Sequence, residues 1–326
     1  MNKHQMKAMK TEVFAKCMKV FTTFMLTALL TGCSGDQYAV QKQQTETVQH
    51  VEQELPNFIA EGIRKLSIVE NQAEVLNIVY EPKEYESTYE YWKISIPYGE
   101  EAVVDTEALL ALFYKIERLE LEAVSEYPED IIDELKAGKL KITWEYCSGG
   151  RDDENAYMAN ADSTATLLLY EAEDDYYAAY QDVPQIIYKV SRKEIDEIIG
   201  ADTFGLILKI SAVANIDTVE TVIINMDGEE YRWNPKEETY RSLYTELLSI
   251  LLKAEIEGGE RNKVDQEKDA LLSLQFVRNI ADMPDLLVEY REYDSEYAVL
   301  SVNGVENFLV NRTDIEALKE KIRSVS

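Results

Sequence analysis

The sequence predicts an α+β fold of repeated β-β-α modules, mainly antiparallel sheets with amphipathic helices on one face. Three observations carry that expectation. Stretches of alternating apolar and polar residues recur through residues 63–310, broken by turn pairs such as Asp227-Gly228 and Asn303-Gly304. Between them stand stretches whose apolar residues fall three and four apart, such as Leu109, Leu112, Phe113 and Ile116. One junction also recurs: Tyr188-Lys189-Val190-Ser191-Arg192-Lys193-Glu194-Ile195-Asp196 parallels Phe308-Leu309-Val310-Asn311-Arg312-Thr313-Asp314-Ile315-Glu316. Val104-Asp105-Thr106-Glu107-Ala108-Leu109 is a looser third copy. In each, a strand meets a capping residue and opens a helix with an acid in its first turn. Both features suit the free N–H groups and dipole of a helix start.

Taken in order, residues 63–95 read as strands, with Trp92, Ile94 and Ile96 alternating against Lys93 and Ser95. Asp105 is expected to cap a helix, and Pro128 to open a short one that Gly138 closes. Ile142, Trp144 and Tyr146 mark another strand. Residues 166–172 and 176–181 form a hairpin, and residues 185–190 a further strand. Ser191 with Glu194 reads as a capping box for a helix that stops at Gly200. Val222, Ile224 and Met226 then turn at Asp227-Gly228 into Tyr231 and Trp233. A helical stripe follows through Tyr240, Leu243, Tyr244, Leu247, Leu248 and Leu251. Strands over residues 271–277, 286–290 and 297–302, a return at Phe308-Leu309-Val310 and a last helix with Ile315, Leu318 and Ile322 complete the chain.

The amino-terminal region speaks to location. Leu30-Thr31-Gly32-Cys33 follows an apolar run over residues 20–30, which is preceded by Lys3, Lys7, Lys10, Lys16 and Lys19 against a single acid, Glu12. A basic segment, a brief apolar core and small residues at the cut make a secretory leader, and the run is about half the roughly 20 residues a membrane span needs. The four residues resemble the lipobox of bacterial lipoproteins. That resemblance implies cleavage between Gly32 and Cys33, with lipid carried on Cys33. The expected organisation is residues 1–32 as leader, 33–54 as a Gln-rich polar tether, and two α+β domains over 55–200 and 201–326. The expected location is the extracytoplasmic face of the cell membrane, or an outer membrane if the cell has one.

Composition excludes several function classes. The formal charge is −29, and the leader takes away five lysines against one acid, so the rest is more acidic still. Such a chain repels phosphate backbones, and nucleic acid is not an expected partner. Cys17 lies in the leader and Cys33 carries lipid, which leaves Cys147 alone and no intrachain disulfide. The two histidines, His4 and His50, both precede the folded body. Ser-His-Asp and Cys-His catalysis are therefore excluded, along with most zinc sites.

A wider resemblance rests on Trp92-Lys93-Ile94-Ser95-Ile96-Pro97 with the helix after Asp105, and on the ending around Val302-Asn303-Gly304 and Phe308-Leu309-Val310-Asn311-Arg312-Thr313-Asp314-Ile315. These are similar to a bacterial lipoprotein family of unknown function, often encoded beside gliding-motility-type ABC transporters. The family's Tyr-Gly-Leu and Ile-Gly pairs have no clear equivalent between Glu129 and Tyr180. The resemblance implies a membrane-anchored extracytoplasmic protein and supplies no catalytic residues.

Candidate sites are few. Cys147-Ser148-Gly149-Gly150 follows a strand, but no histidine can serve as base, and Asp152, Asp153 and Glu154 would raise the thiol pKa. It reads as an ordinary strand-end cysteine. The acidic runs at residues 152–154 and 171–175 lack the ligand alternation of a calcium loop and read as solvated turns. Tyrosine is abundant, with 21 in the chain. Tyr170, Tyr176, Tyr177 and Tyr180 gather on one hairpin, and Tyr290, Tyr293 and Tyr297 on another. Large rigid rings with polar tips suit partner binding as well as half-buried strands. No cofactor, metal or catalytic residue is expected. The expected function is non-enzymatic: an accessory or partner-binding subunit of an ABC transport system, docking on the permease or a neighbouring lipoprotein. The alternatives are a solute-binding lipoprotein with an interdomain cleft and, third, a carboxylate-dependent hydrolase.

Overall fold

The computed structural model describes residues 55–84, 86–99, 102–148, 160–256 and 269–325. Residues 54–326 form one unit, and among the described residues fifteen strands make two antiparallel sheets. The leader and tether expected over residues 1–54 lie outside the described residues.

The first sheet begins with the hairpin of β1 (Ile63–Glu70) and β2 (Ala73–Tyr80), and β3 (Trp92–Ile94) lies on its edge. Helix α1 (Thr106–Glu117), β4 (Glu122–Val124) and α2 (Ile131–Ala137) follow. A meander of β5 (Leu140–Tyr146), β6 (Ser163–Glu171), β7 (Asp175–Tyr180) and β8 (Ile187–Ser191) runs into α3 (Arg192–Ile199). The strand order is β3-β2-β1-β5-β6-β7-β8-β4.

The second sheet also holds a hairpin and a four-stranded meander. A hairpin of β9 (Val219–Met226) and β10 (Glu229–Trp233) precedes α4 (Glu238–Leu248) and β11 (Leu252–Glu255). The meander of β12 (Leu272–Arg278), β13 (Leu286–Glu292), β14 (Tyr297–Val302) and β15 (Val305–Asn311) then runs into α5 (Arg312–Val325). Its order is β10-β9-β12-β13-β14-β15-β11. With β3 set aside, the two orders correspond strand for strand. The matched sequence stretches fall at equivalent places, the β8–α3 and β15–α5 junctions. The third copy falls elsewhere, before α1, where Val104 forms a bridge with Ile207 instead of ending a meander.

Local chemistry explains the turns. Asn71-Gln72, Asp227-Gly228 and Asn303-Gly304 each hold two consecutive residues at positive φ, from 48° to 85°. That backbone matches the twist of a two-residue hairpin, and Asn, Asp and Gly adopt it at least cost. Asp105 caps α1 as expected, its carboxylate accepting from the N–H groups of Glu107 and Ala108. Leu109, Leu112, Phe113 and Ile116 all face inward.

Two expected details are corrected. Ser191 makes no side-chain capping bond. It remains paired with Asp175 in the ladder, so its hydroxyl does not turn to the helix start. At the matching position the Asn311 amide donates to Asp314, 3.1 Å away. Helix α4 also stops at Leu248, before Leu251. Leu251 pairs with Ile210 and is 40% exposed. Replacing Asp105 by Ala is therefore expected to cost about 0.5–2 kcal/mol, and Ser191 by Ala less than about 0.5. Urea midpoints of the two variants check this, and equal losses would mean that the assigned cap is wrong.

One large core runs through both sheets, from Ile63 and Trp144 to Tyr290 and Ile322. Strand β6 is covered on both faces: Ala165, Leu167 and Leu169 enter that core, while Leu168 packs with Ile131 and Leu135 of α2. Helix α2 thus lies on the face opposite to the main core, and the expectation that all helices share one face does not extend to it.

Residues 200–218 join the halves and bond to both. Leu208 donates to Val103, Leu252 donates to Lys209, and Ser211 donates to Ile250. Tyr98 adds a contact across the same join, its hydroxyl bonding to Thr203 and Glu255 and its ring lying 5.0 Å from that of Phe308.

The β9–β10 turn is fastened to α5. Asp227 accepts from Lys319 at 2.9 Å and pairs with Arg323. The Lys319 hydrogen bond, followed by that of Arg323, holds the Asp227 pKa below the ordinary carboxylate value. A depressed carboxylate contributes stability above its unfolded pKa of about 4, and that contribution disappears as pH falls through the folded value. Asp227→Asn is accordingly expected to lower the urea midpoint at neutral pH and to match wild type near pH 2. A deficit that persists unchanged in acid would mean that the turn, not the charge, was damaged.

Candidate functional site

The cavity between the two sheets is the strongest candidate site. It lies beneath the joining segment, with a volume of about 100 Å³. Trp92 and Ala102 wall it from the first half, Ile207 and Ala212 from the join, and Val288 and Phe308 from the second half. Into this apolar setting come Glu90, Lys93, Ser211 and Arg278.

Each polar group is placed by its own element. Glu90 ends a helical turn after Ser87, and its carboxylate accepts from the Ser87 N–H at 2.9 Å. Lys93 is already paired with Glu86 at 3.0 Å. The Ser211 hydroxyl is shared with that of Tyr290 at 2.8 Å. Arg278 stands at the end of β12, where a bulge shifts the register against β9. Such a bulge re-aims the side chain that follows it. One terminal nitrogen, Nη1, donates to Thr218 at 2.7 Å, while the buried Nε has no hydrogen-bond partner. Tyr244 feels both charges: burial raises its pKa, Arg278 pulls it down and Glu90 pushes it up.

The tyrosines divide. Tyr290 is wholly buried, and burial raises its hydroxyl far above the usual value. Tyr176 is buried too and donates to Asp196 at 3.0 Å; burial, then that bond, pushes it up to about 12. Tyr180 packs between Trp144 and Tyr188, and burial takes it up to about 12. Tyr170 and Tyr177 face each other across the hairpin over the α2 cluster. Tyr293 and Tyr297 lie half-buried beside Ile256, Val299 and Leu309. Of the seven tyrosines singled out, Tyr170, Tyr177, Tyr180, Tyr293 and Tyr297 are half-buried.

Cys147 is buried, and its thiol approaches the Asn160 carbonyl at 3.5 Å. Residues 152–154 lie outside the described residues, as do Gly32 and Cys33. In the other acidic run, Glu171 pairs with Arg192 at 2.6 Å and Asp175 with Lys189 at 3.4 Å. Among the described residues no group of His, Cys, Asp and Glu could hold a metal ion, and no helix is long and apolar enough to cross a membrane.

Nothing in the sequence marked Glu90 or Arg278 as lining a common cavity. Arg278 ends an ordinary strand and Glu90 sits in an acidic stretch, so their meeting depends on pairing far apart in the chain. No family model matches the chain, and neither the curated proteins nor the solved structures yield a match.

Proposed function

We propose that the chain is a lipid-anchored extracytoplasmic lipoprotein, a non-enzymatic accessory subunit that binds a partner in an ABC transport system. The observation that carries this reading is Leu30-Thr31-Gly32-Cys33 behind a short apolar run, followed by a polar tether. About 20 tether residues reach roughly 25 Å, the height of a permease's outer surface. We read the body as two copies of one module, and the corresponding strand orders support that reading. Exposed charge steers such a protein more than it holds it, so apolar contact must supply affinity. Tyr170 with Tyr177, and Tyr293 with Tyr297, are the surfaces suited to it. The test is to change each pair to Ala and crosslink in cells. One pair is expected to abolish capture of a membrane protein. Capture in equal yield by both variants would remove these surfaces from the account.

A second reading is a solute-binding lipoprotein, and the cavity between the halves favours it. Among its described lining residues Glu90 is the lone acid, so it offers nothing to a two-carboxylate hydrolase.

A further inference from the structure

We propose that the inter-sheet cavity takes a small zwitterionic amino acid, its carboxylate on Arg278 and its ammonium facing Glu90. The inference rests on the solute-binding reading and names the ligand class for it.

The first argument is the guanidinium. Among the described residues Arg278 has no carboxylate partner, its Nε donor is buried without an acceptor, and Nη1 alone is committed, to Thr218. The Nε side of an arginine presents two parallel N–H groups, the geometry that fits a carboxylate bidentately. A buried donor left unmade costs free energy; Nε is closed to a group the size of water, so a ligand oxygen reaches it by displacing a neighbouring side chain and then restores that bond.

The second argument is the companion charge. Glu90 lines the same cavity, and its Oε2 is engaged with the Ser87 N–H, leaving Oε1 without a bond among the described residues. A purely anionic ligand such as phosphate would meet this carboxylate unfavourably, whereas an ammonium group would meet it well. Lys93 is paired with Glu86 and Ser211 is bonded to Tyr290; the remaining wall is apolar, with Val288, Leu300 and Phe308 available to a short side chain. Size sets the last limit. An apolar cavity of 150 Å³ takes benzene, so about 100 Å³ admits roughly four to six heavy atoms. Glycine and alanine fall in that range.

The experiment is calorimetric titration of the full chain in detergent with glycine, L-alanine, propionate and phosphate. Saturable binding of glycine or alanine is expected, with propionate about tenfold weaker or more, because it lacks the ammonium. Arg278→Lys keeps the charge and loses the fork, and should weaken alanine about tenfold with an unchanged circular dichroism spectrum. Glu90→Gln preserves the acceptor for Ser87, and should weaken alanine while leaving propionate at wild-type affinity. The proposal is overturned if neither amino acid binds at about 10 mM, or if Glu90→Gln binds alanine as wild type does. Propionate or phosphate binding more tightly than alanine, and being blocked by Val302→Phe, would overturn the ligand class and leave the cleft reading standing. Binding of none of the four would overturn both.

Discussion

Cys33→Ala is expected to abolish lipid labelling and to leave a precursor that still carries residues 1–32. The thiol of Cys33 is the sole group at the expected cut that can take a diacylglyceryl chain as a thioether, and an alanine there has no nucleophile. Lipid addition precedes cleavage in this reading, so one substitution blocks both. Membrane hold follows the number of acyl chains: one gives marginal binding, while two or more anchor stably. A strongly acidic body adds no attraction to anionic headgroups, so on this reading the hold rests on the lipid. Metabolic labelling with palmitate and the mobility of the product on a gel check this. Normal labelling and processing of the variant would contradict it.

Trp144→Ala is expected to lower stability by about 3–5 kcal/mol. Strand β5 runs between β1 and β6, and Trp144 stands opposite Leu66 on one side and Ala165 on the other. Its ring is 1% exposed and lies 5.4 Å from Phe58 and 6.3 Å from Tyr180. Truncation leaves a cavity among stiff aromatic neighbours that cannot collapse into it. The indole Nε1 is buried without a hydrogen-bond partner, a cost that Trp144→Phe removes along with part of the ring. Phe should therefore cost far less than Ala. Urea titrations of both variants decide the matter. Equal losses would mean that ring packing is not what Trp144 contributes, and an unchanged Ala midpoint would place it outside the core.

Features fixed by neighbouring residues were legible in the sequence. Asp227-Gly228 and Asn303-Gly304 form the expected turns, Asp105 caps its helix, and the Leu109–Ile116 stripe is buried. The strands of both meanders were readable from their alternation. What depends on distant pairing was not. The short strands β4 and β11 carry too few residues to display a period, and each is defined by a partner elsewhere, β8 and β15. Leu251 continued a helical stripe in sequence, yet the joining segment claims it through Ile210. Ser191 had the letters of a cap and remains in its strand. The tyrosine clusters were visible, but only burial separates Tyr176 and Tyr290 from Tyr293 and Tyr297. The cavity was hidden for the same reason, since its charged residues come from distant segments, Glu90 and Lys93 at the edge of the first sheet and Arg278 in the second.

The central claim is that the body works against a membrane protein within reach of its own lipid anchor. Crosslinking in living cells, followed by detergent extraction and pull-down of this chain, measures that directly. Wild type is expected to recover one membrane protein reproducibly, a permease or a neighbouring lipoprotein, and a chain exported and cleaved without its lipid anchor is not. Recovery of no membrane protein across repeated extractions would contradict it and put the solute-binding reading first.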